Sequence, residues 1–228
     1  MATRLYLPAT AAATGISPTP DSAWEDVSIL ARAVTSTSKI SDAMADVALP
    51  DDGDSTSKDV LFRQYVSAAL DAGQTITGAQ ALKAQCRVLE FDNAGNMFFT
   101  VGIRVLAGDG TTVQKTVLAV TRDEVEVSST ALTNRQFTAT SAATNYTTVA
   151  NDRLVIEVGM AGDPGAAGTH ASTMRLGDAA AADLLEDDLS VLDSNPWVQL
   201  TDTLTFAAGG GSTQPPRTMH QFRQRTQA

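Results

Sequence analysis

The stretch Asn151 to Asp163, NDRLVIEVGMAGD, constrains this 228-residue chain more than any other. Leu154, Ile156, Val158 and Met160 alternate strictly with Arg153, Val155, Glu157 and Gly159. A pleated strand sends alternate side chains to opposite faces, whereas a helix would scatter these apolar groups around its circumference. Burial of each contributes roughly 1.5–3 kcal/mol, so the spacing predicts a strand at the centre of a sheet, with that face on the core. Asn151-Asp152 before it and Gly162-Asp163-Pro164-Gly165 after it are turn chemistry and set its ends. With Glu157 on the opposite face, Glu157→Gln is expected to be nearly silent.

Other stretches repeat the pattern. Leu82, Ala84, Cys86 and Val88 alternate within Gln74 to Phe91, and Phe99, Val101, Ile103 and Val105 within Met97 to Leu106. Asp92-Asn93-Ala94-Gly95 between them reads as a tight hairpin connection. Ala107-Gly108-Asp109-Gly110 carries the Asp-Gly signature of a second hairpin turn, and Val113 to Val120 returns as its partner. These three strands are expected to form a meander, with a further short strand at Val125 and Val127. Val60 to Leu70 fits a strand or a short helix; β-branched and aromatic residues favour the strand, with Val60, Phe62, Val66, Ala68 and Leu70 on one face and Arg63 and Tyr65 opposite. Many short alternating strands with turn signals between them give an all-β sandwich or barrel.

The ends differ in character. Residues 1–23, with Pro8, Pro18 and Pro20, read as an N-terminal extended arm. Residues 24–206 form the β domain, opened by Trp24 and closed by strands after Asn195-Pro196-Trp197. Residues 207–228 form a flexible, basic C-terminal tail behind Gly209, Gly210 and Gly211. Its candidate partner-binding residues are Arg217, Met219, Phe222, Arg223 and Arg225, cations and apolar anchors suited to docking on the acidic body of a neighbouring copy.

Composition narrows the chemistry. A net charge of −10 repels phosphate backbones, so nucleic acid is not an expected partner. No apolar run has the length of a membrane span, and the N-terminus lacks the continuous apolar stretch of a signal peptide. The lone Cys86 rules out an internal disulfide framework and reads as a small core residue. Together these favour assembly in a reducing cytoplasm. His170 falls in a Gly-Ala loop and His220 in the tail, poor foundations for a catalytic site, and no G-x-S-x-G, H-E-x-x-H, P-loop or C-x-x-C motif is present. Asp51-Asp52-Gly53-Asp54 resembles a calcium loop without its ligand spacing or closing glutamate. The Ala-rich run capped by Asp178 suits a helical turn within 178–190, and Asp183, Glu186, Asp187 and Asp188 read as a solvated acidic face rather than a cation site. No cofactor or metal is expected.

Three stretches, LFRQYVS at 61–67, NDRLVIEVG at 151–159 and NPWVQLTDTLTF at 195–206, resemble an uncharacterised family of virion structural proteins from tailed bacteriophages. The resemblance implies an antiparallel, jelly-roll-like β-sandwich and a non-enzymatic structural component of the tail, neck or capsid surface. By the same resemblance it would be made in the host bacterial cytoplasm and located in the virion. Its partners would be other virion proteins and copies of itself in a homo-oligomer. After Gly159 the family pattern expects an aromatic and polar run, where this chain has Met160 and a Gly-Ala loop. The alternative is a carbohydrate-binding sandwich for host-surface attachment, with weak glycan contact. Sugar stacking needs exposed aromatics, and Trp24 and Trp197 both read as core.

Overall fold

The structure is a computed structural model, and it describes residues 2–10, 15–27, 31–39, 44–49, 56–91, 95–162, 171–178 and 182–207. These residues are all-β: thirteen strands and no helix. One sheet has five strands, β2 (Ala31–Val34), β4 (Lys58–Val66), β11 (Arg153–Gly162), β7 (Met97–Leu106) and β8 (Val113–Arg122), adjacent in that order. The expected central strand is β11, in the middle of this sheet. The sheet is mixed rather than purely antiparallel, because β2 runs parallel to β4.

The second sheet is built around β6 (Ala81–Glu90). On one side it pairs along most of its length with β9 (Thr133–Thr140). On the other side β13 (Trp197–Leu200) and β12 (Ser172–Leu176) share it end to end, at Lys83 to Gln85 and Arg87 to Glu90. β1 (Thr3–Tyr6) extends β13, and β3 (Ala45–Leu49) extends β12. A small ribbon of β5 (Thr75–Ile76) and β10 (Tyr146–Thr147) stands apart.

The two sheets face each other across one core. Leu154, Ile156, Val158 and Met160 enter it from β11, opposite Leu82, Ala84, Cys86 and Val88 from β6. Burial pushes the Cys86 thiol pKa well up, as expected for an inert core residue. Phe99 meets Phe137 edge to face, with centroids 5.9 Å apart.

Several expectations are corrected. β6 and β7 do not pair: their connection crosses from one sheet to the other, so there is no first hairpin and no three-stranded meander. The second hairpin, β7 with β8, is present. Alternation and turn residues look the same whether a chain doubles back in its own sheet or arches to the facing one. In β4 the single face fails at a β-bulge: Val158 opposes Arg63 while Gly159 opposes Leu61, leaving Phe62 as the extra residue. Beyond it the parity switches, so Tyr65 joins the main core and Val66 turns outward to Leu106 and Val155. Val125 and Val127 lie outside any strand, although Val127 is buried. The helical turn is absent from residues 182–190, which run as an irregular strap; 179–181 lie outside the described residues.

Residues 1–23, expected as an arm, hold β1 and then two attachments. Tyr65 Oη donates to Pro8 O at 2.9 Å and Arg63 donates to Ala9 O at 2.6 Å.

Candidate functional site

Both sheets carry a covering segment on the outer face, and this decides which side chains remain available. Over the five-stranded sheet run residues 15–24. Ile16 packs on Val66, Leu106 and Val155. Arg104 donates to Thr19 O, and Arg32 to Pro18 O, each at 2.9 Å. Glu157 lies beneath, 1% exposed. Its carboxylate accepts from Trp24 Nε1 at 2.9 Å, Gln64 Nε2 at 2.8 Å, Arg104 Nη2 at 2.6 Å and the Asp21 amide at 3.2 Å. These donors replace the water that a buried carboxylate would otherwise lose. Glu157 does lie on the face opposite the core set, but the expectation that Glu157→Gln would be nearly silent is corrected. The carboxylate is a fastener for the covering segment, with its oxygens already committed.

Gly159 explains how the segment sits so close. A Cβ there would meet Val60 O at 2.0 Å and the Trp24 ring at 2.9 Å. Gly159→Ala would ordinarily gain a little stability by restricting the unfolded chain. Here it is expected to destabilise by about 1–3 kcal/mol through overpacking against backbone, read as a lower urea midpoint at unchanged slope. An unchanged or raised midpoint would contradict the close approach.

The outer face of the six-stranded sheet is covered by residues 182–195. Trp197 is fully buried there, donating to Leu184 O at 3.0 Å, with the Arg4 guanidinium 3.7 Å above its ring. Both tryptophans are thus buried, Trp24 as part of one covering segment and Trp197 beneath the other, rather than between the sheets. The acidic cluster of the sequence is paired throughout. Asp183 meets Arg4 and Lys39, each at 2.7 Å, and accepts from Tyr6 Oη. Burial alone would raise its pKa, but these partners outweigh it and the net direction is downward. Burial, with Asp183 adding to it, pushes the Tyr6 hydroxyl up. Glu186 pairs with Lys83, Asp188 with Arg135, and Asp187 accepts from the Leu189 amide. Among the described residues no cluster is arranged to hold a metal ion.

A groove of about 380 Å³ opens beside β1, lined by Leu5, Thr35, Ser36, Thr37, Ser38, Ala68 and Phe206. Its geometry comes from the strand register. β1 pairs with β13 antiparallel, and Leu7 N donates to Pro196 O at 3.1 Å. Main-chain groups in such a pair alternate in direction, so Leu5 turns its N–H and C=O to β13 while Arg4 and Tyr6 turn theirs to the free edge. Those of Tyr6 are met there: its amide donates to Ser36 O at 3.1 Å, and Thr35 Oγ1 donates to its carbonyl at 2.6 Å. One step along, the N–H and C=O of Arg4 point the same way, with no partner among the described residues. Ser36 and Ser38 close the rim through a local turn, Ser38 N donating to Ser36 Oγ at 3.1 Å. The groove therefore combines an apolar floor and a rim of hydroxyls beside a strand edge on which only Arg4 lacks a main-chain partner among the described residues.

The residues singled out in the sequence do not assemble here. Arg217, Met219, Phe222, Arg223 and Arg225 lie outside the described residues, as do His170, His220 and Asp51 to Asp54. The groove residues escaped notice because its lining comes from four separate segments. The one readable signal was the Ser-Thr run 35–38 directly after an alternating stretch.

Among known proteins, no family model matches the chain, and no curated protein does. Solved structures that match include an α-amino acid ester hydrolase (10% identity, TM-score 0.47), over 90% of this chain and 36% of that one. Two structures of a CocE/NonD family hydrolase from Staphylococcus aureus also match, at 10% identity and TM-scores of 0.44 and 0.46, over 89% and 88% of this chain and 36% of each of theirs. None of these findings supports the resemblance to phage virion proteins, and that expectation is corrected. With it go the tail, neck or capsid role, its carbohydrate-binding alternative and the non-enzymatic assignment. The chain spans about a third of the hydrolases' own length, and at this identity and TM-score no activity passes from them to it.

Proposed function

We propose that the chain is a β-sandwich binding module that takes an extended polypeptide segment beside β1, by strand addition. The observation that supports this reading is that the Arg4 main-chain groups, next in sequence to Leu5 of a groove with an apolar floor, have no partner among the described residues. An edge strand with free N–H and C=O is a template for another strand. In strand addition, main-chain bonds give affinity and pockets for alternate side chains give selectivity. Leu5, Ala68 and Phe206 suit one apolar side chain of the segment, and Thr35 to Ser38 suit its main chain or a neighbouring polar group. The same proposal takes the sandwich as jelly-roll-like. In support, the chain alternates between the sheets, from β1 through β2, β3 and β4 to β6, and again at β7, β9, β11 and β12.

The test is an array of extended hexapeptides screened against the full chain, followed by amide chemical shifts. Binding is expected for peptides that alternate apolar with Ser or Thr residues. Shifts should concentrate at Arg4 and residues 35–38, and Ala68→Trp, which fills the groove, should weaken binding at least about ten-fold, the 1.4 kcal/mol that one lost pocket contact is worth. An array with no binder, or binding indifferent to Ala68→Trp, would overturn the reading.

A further inference from the structure

We propose that the segment resident in this groove is the chain's own C-terminal stretch, residues 208–228, held as a displaceable stand-in for an outside peptide. The inference rests on the groove being a strand-accepting site. Its first support is where the described chain stops. Phe206 lines the groove and bridges to Leu70, and the next residue, Ala207, donates to Ala69 O at 2.8 Å. The C-terminal stretch therefore begins at the groove wall.

Its second support is the length and chemistry of that stretch. Twenty-one residues remain after Ala207, and at about 3.3 Å per residue in a strand only a few are needed to run beside Thr3 to Leu5, the part of β1 not already held at Tyr6 by Ser36 and Thr35. Gly209, Gly210 and Gly211 let the chain take whichever turn leads from Ala207 to β1, because glycine takes either sign of φ without steric cost. Pro215 and Pro216 cannot donate in a central strand but are tolerated at an edge. Met219 and Phe222 then offer the apolar side chain that the floor of Leu5, Ala68 and Phe206 lacks. Arg217, Arg223 and Arg225 carry positive charge, with no acid among residues 208–228, toward a body more acidic than the net −10 of the whole chain.

Tethering makes weak contacts sufficient. A short flexible link holds a segment at an effective concentration of order mM. A tail with modest affinity of its own would fill the groove, and any outside peptide would have to displace it. The C-terminal stretch would in this way set the threshold for binding.

The experiment compares the full-length chain with full-length Met219→Asp/Phe222→Asp. It reads hydrogen exchange at the Arg4 amide and affinity for the tightest-binding hexapeptide of the array. In the variant, Arg4 exchange is expected to quicken about ten-fold and the peptide to bind about ten-fold more tightly, with the Ile156 amide unchanged. Equal exchange and equal affinity in both proteins would overturn the tail assignment while the groove keeps its role. Absence of peptide binding to either protein would overturn the groove reading itself, and the tail assignment with it. Arg4 protection that disappears on dilution from mM to µM protein would overturn the own-chain assignment in favour of the tail of a second copy.

Discussion

Replacement of Ile156 by aspartate is expected to abolish the cooperative fold. Ile156 is fully buried on the central strand, flanked in register by Tyr65 of β4 and Ile103 of β7, both also fully buried. The substitution removes an aliphatic side chain whose truncation alone costs about 2–5 kcal/mol. It also places a carboxylate inside the apolar cluster, where it must be desolvated or protonated at a further cost of several kcal/mol. Together these match the whole 5–15 kcal/mol that holds an ordinary domain. Soluble yield, amide dispersion in NMR spectra and a thermal melt read the outcome. A soluble protein melting within a few degrees of the parent would show the core face to be misassigned.

Its neighbour, Glu157, should be nearly as sensitive for the opposite reason. Glu157→Ala leaves Arg104, which is 6% exposed, facing an empty site, and strands Gln64 and the Trp24 indole. Removing one partner of a buried ion pair costs about 3–5 kcal/mol. At roughly 2–4 °C per kcal/mol for a chain of this size, the melting temperature falls by about 6–20 °C. Glu157→Gln keeps the shape and loses the charge opposite Arg104, so it should cost less, about 1.5–3 kcal/mol. In both variants the Trp24 emission should shift to the red as residues 15–24 loosen over the sheet. The double variant Glu157→Leu/Arg104→Met should recover part of the loss, since an apolar pair needs no desolvation of charge. A Glu157→Gln protein with parental melting and emission would show that the carboxylate does not fasten the segment.

These adjacent positions show where sequence reading reached its limit. Period-two spacing identified the strand, its central place and its core face, because burying a face is a local requirement written into alternate residues. It could not show that the other face is also covered. Glu157, Trp24, Gln64 and Arg104 converge from four places in the chain, 133 residues apart for the Trp24–Glu157 bond, and no local pattern announces such a meeting. Gly159 looked like an ordinary outward position until Val60 and Trp24 were set against it.

The same division holds for the rest of the molecule. Leu82, Ala84, Cys86 and Val88 were legible as a core face, as were the Asp-Gly turn and the hairpin it joins. The acidic run 183–188 was legible as charge but not as partners, because Arg4, Lys83 and Arg135 reach it from distant strands. The groove is the clearest case. Leu5, Ser36, Ala68 and Phe206 are ordinary residues in four separate segments. By itself the sequence determined the central strand, several of its neighbours with most of their buried faces, and an all-β chain, because alternation and turn chemistry act over a few residues. Only the tertiary structure decided which strands pair, which outer faces are roofed over and where an edge is left open. Those depend on hydrogen bonds and contacts between residues far apart in the chain, whose free energy no short stretch contains.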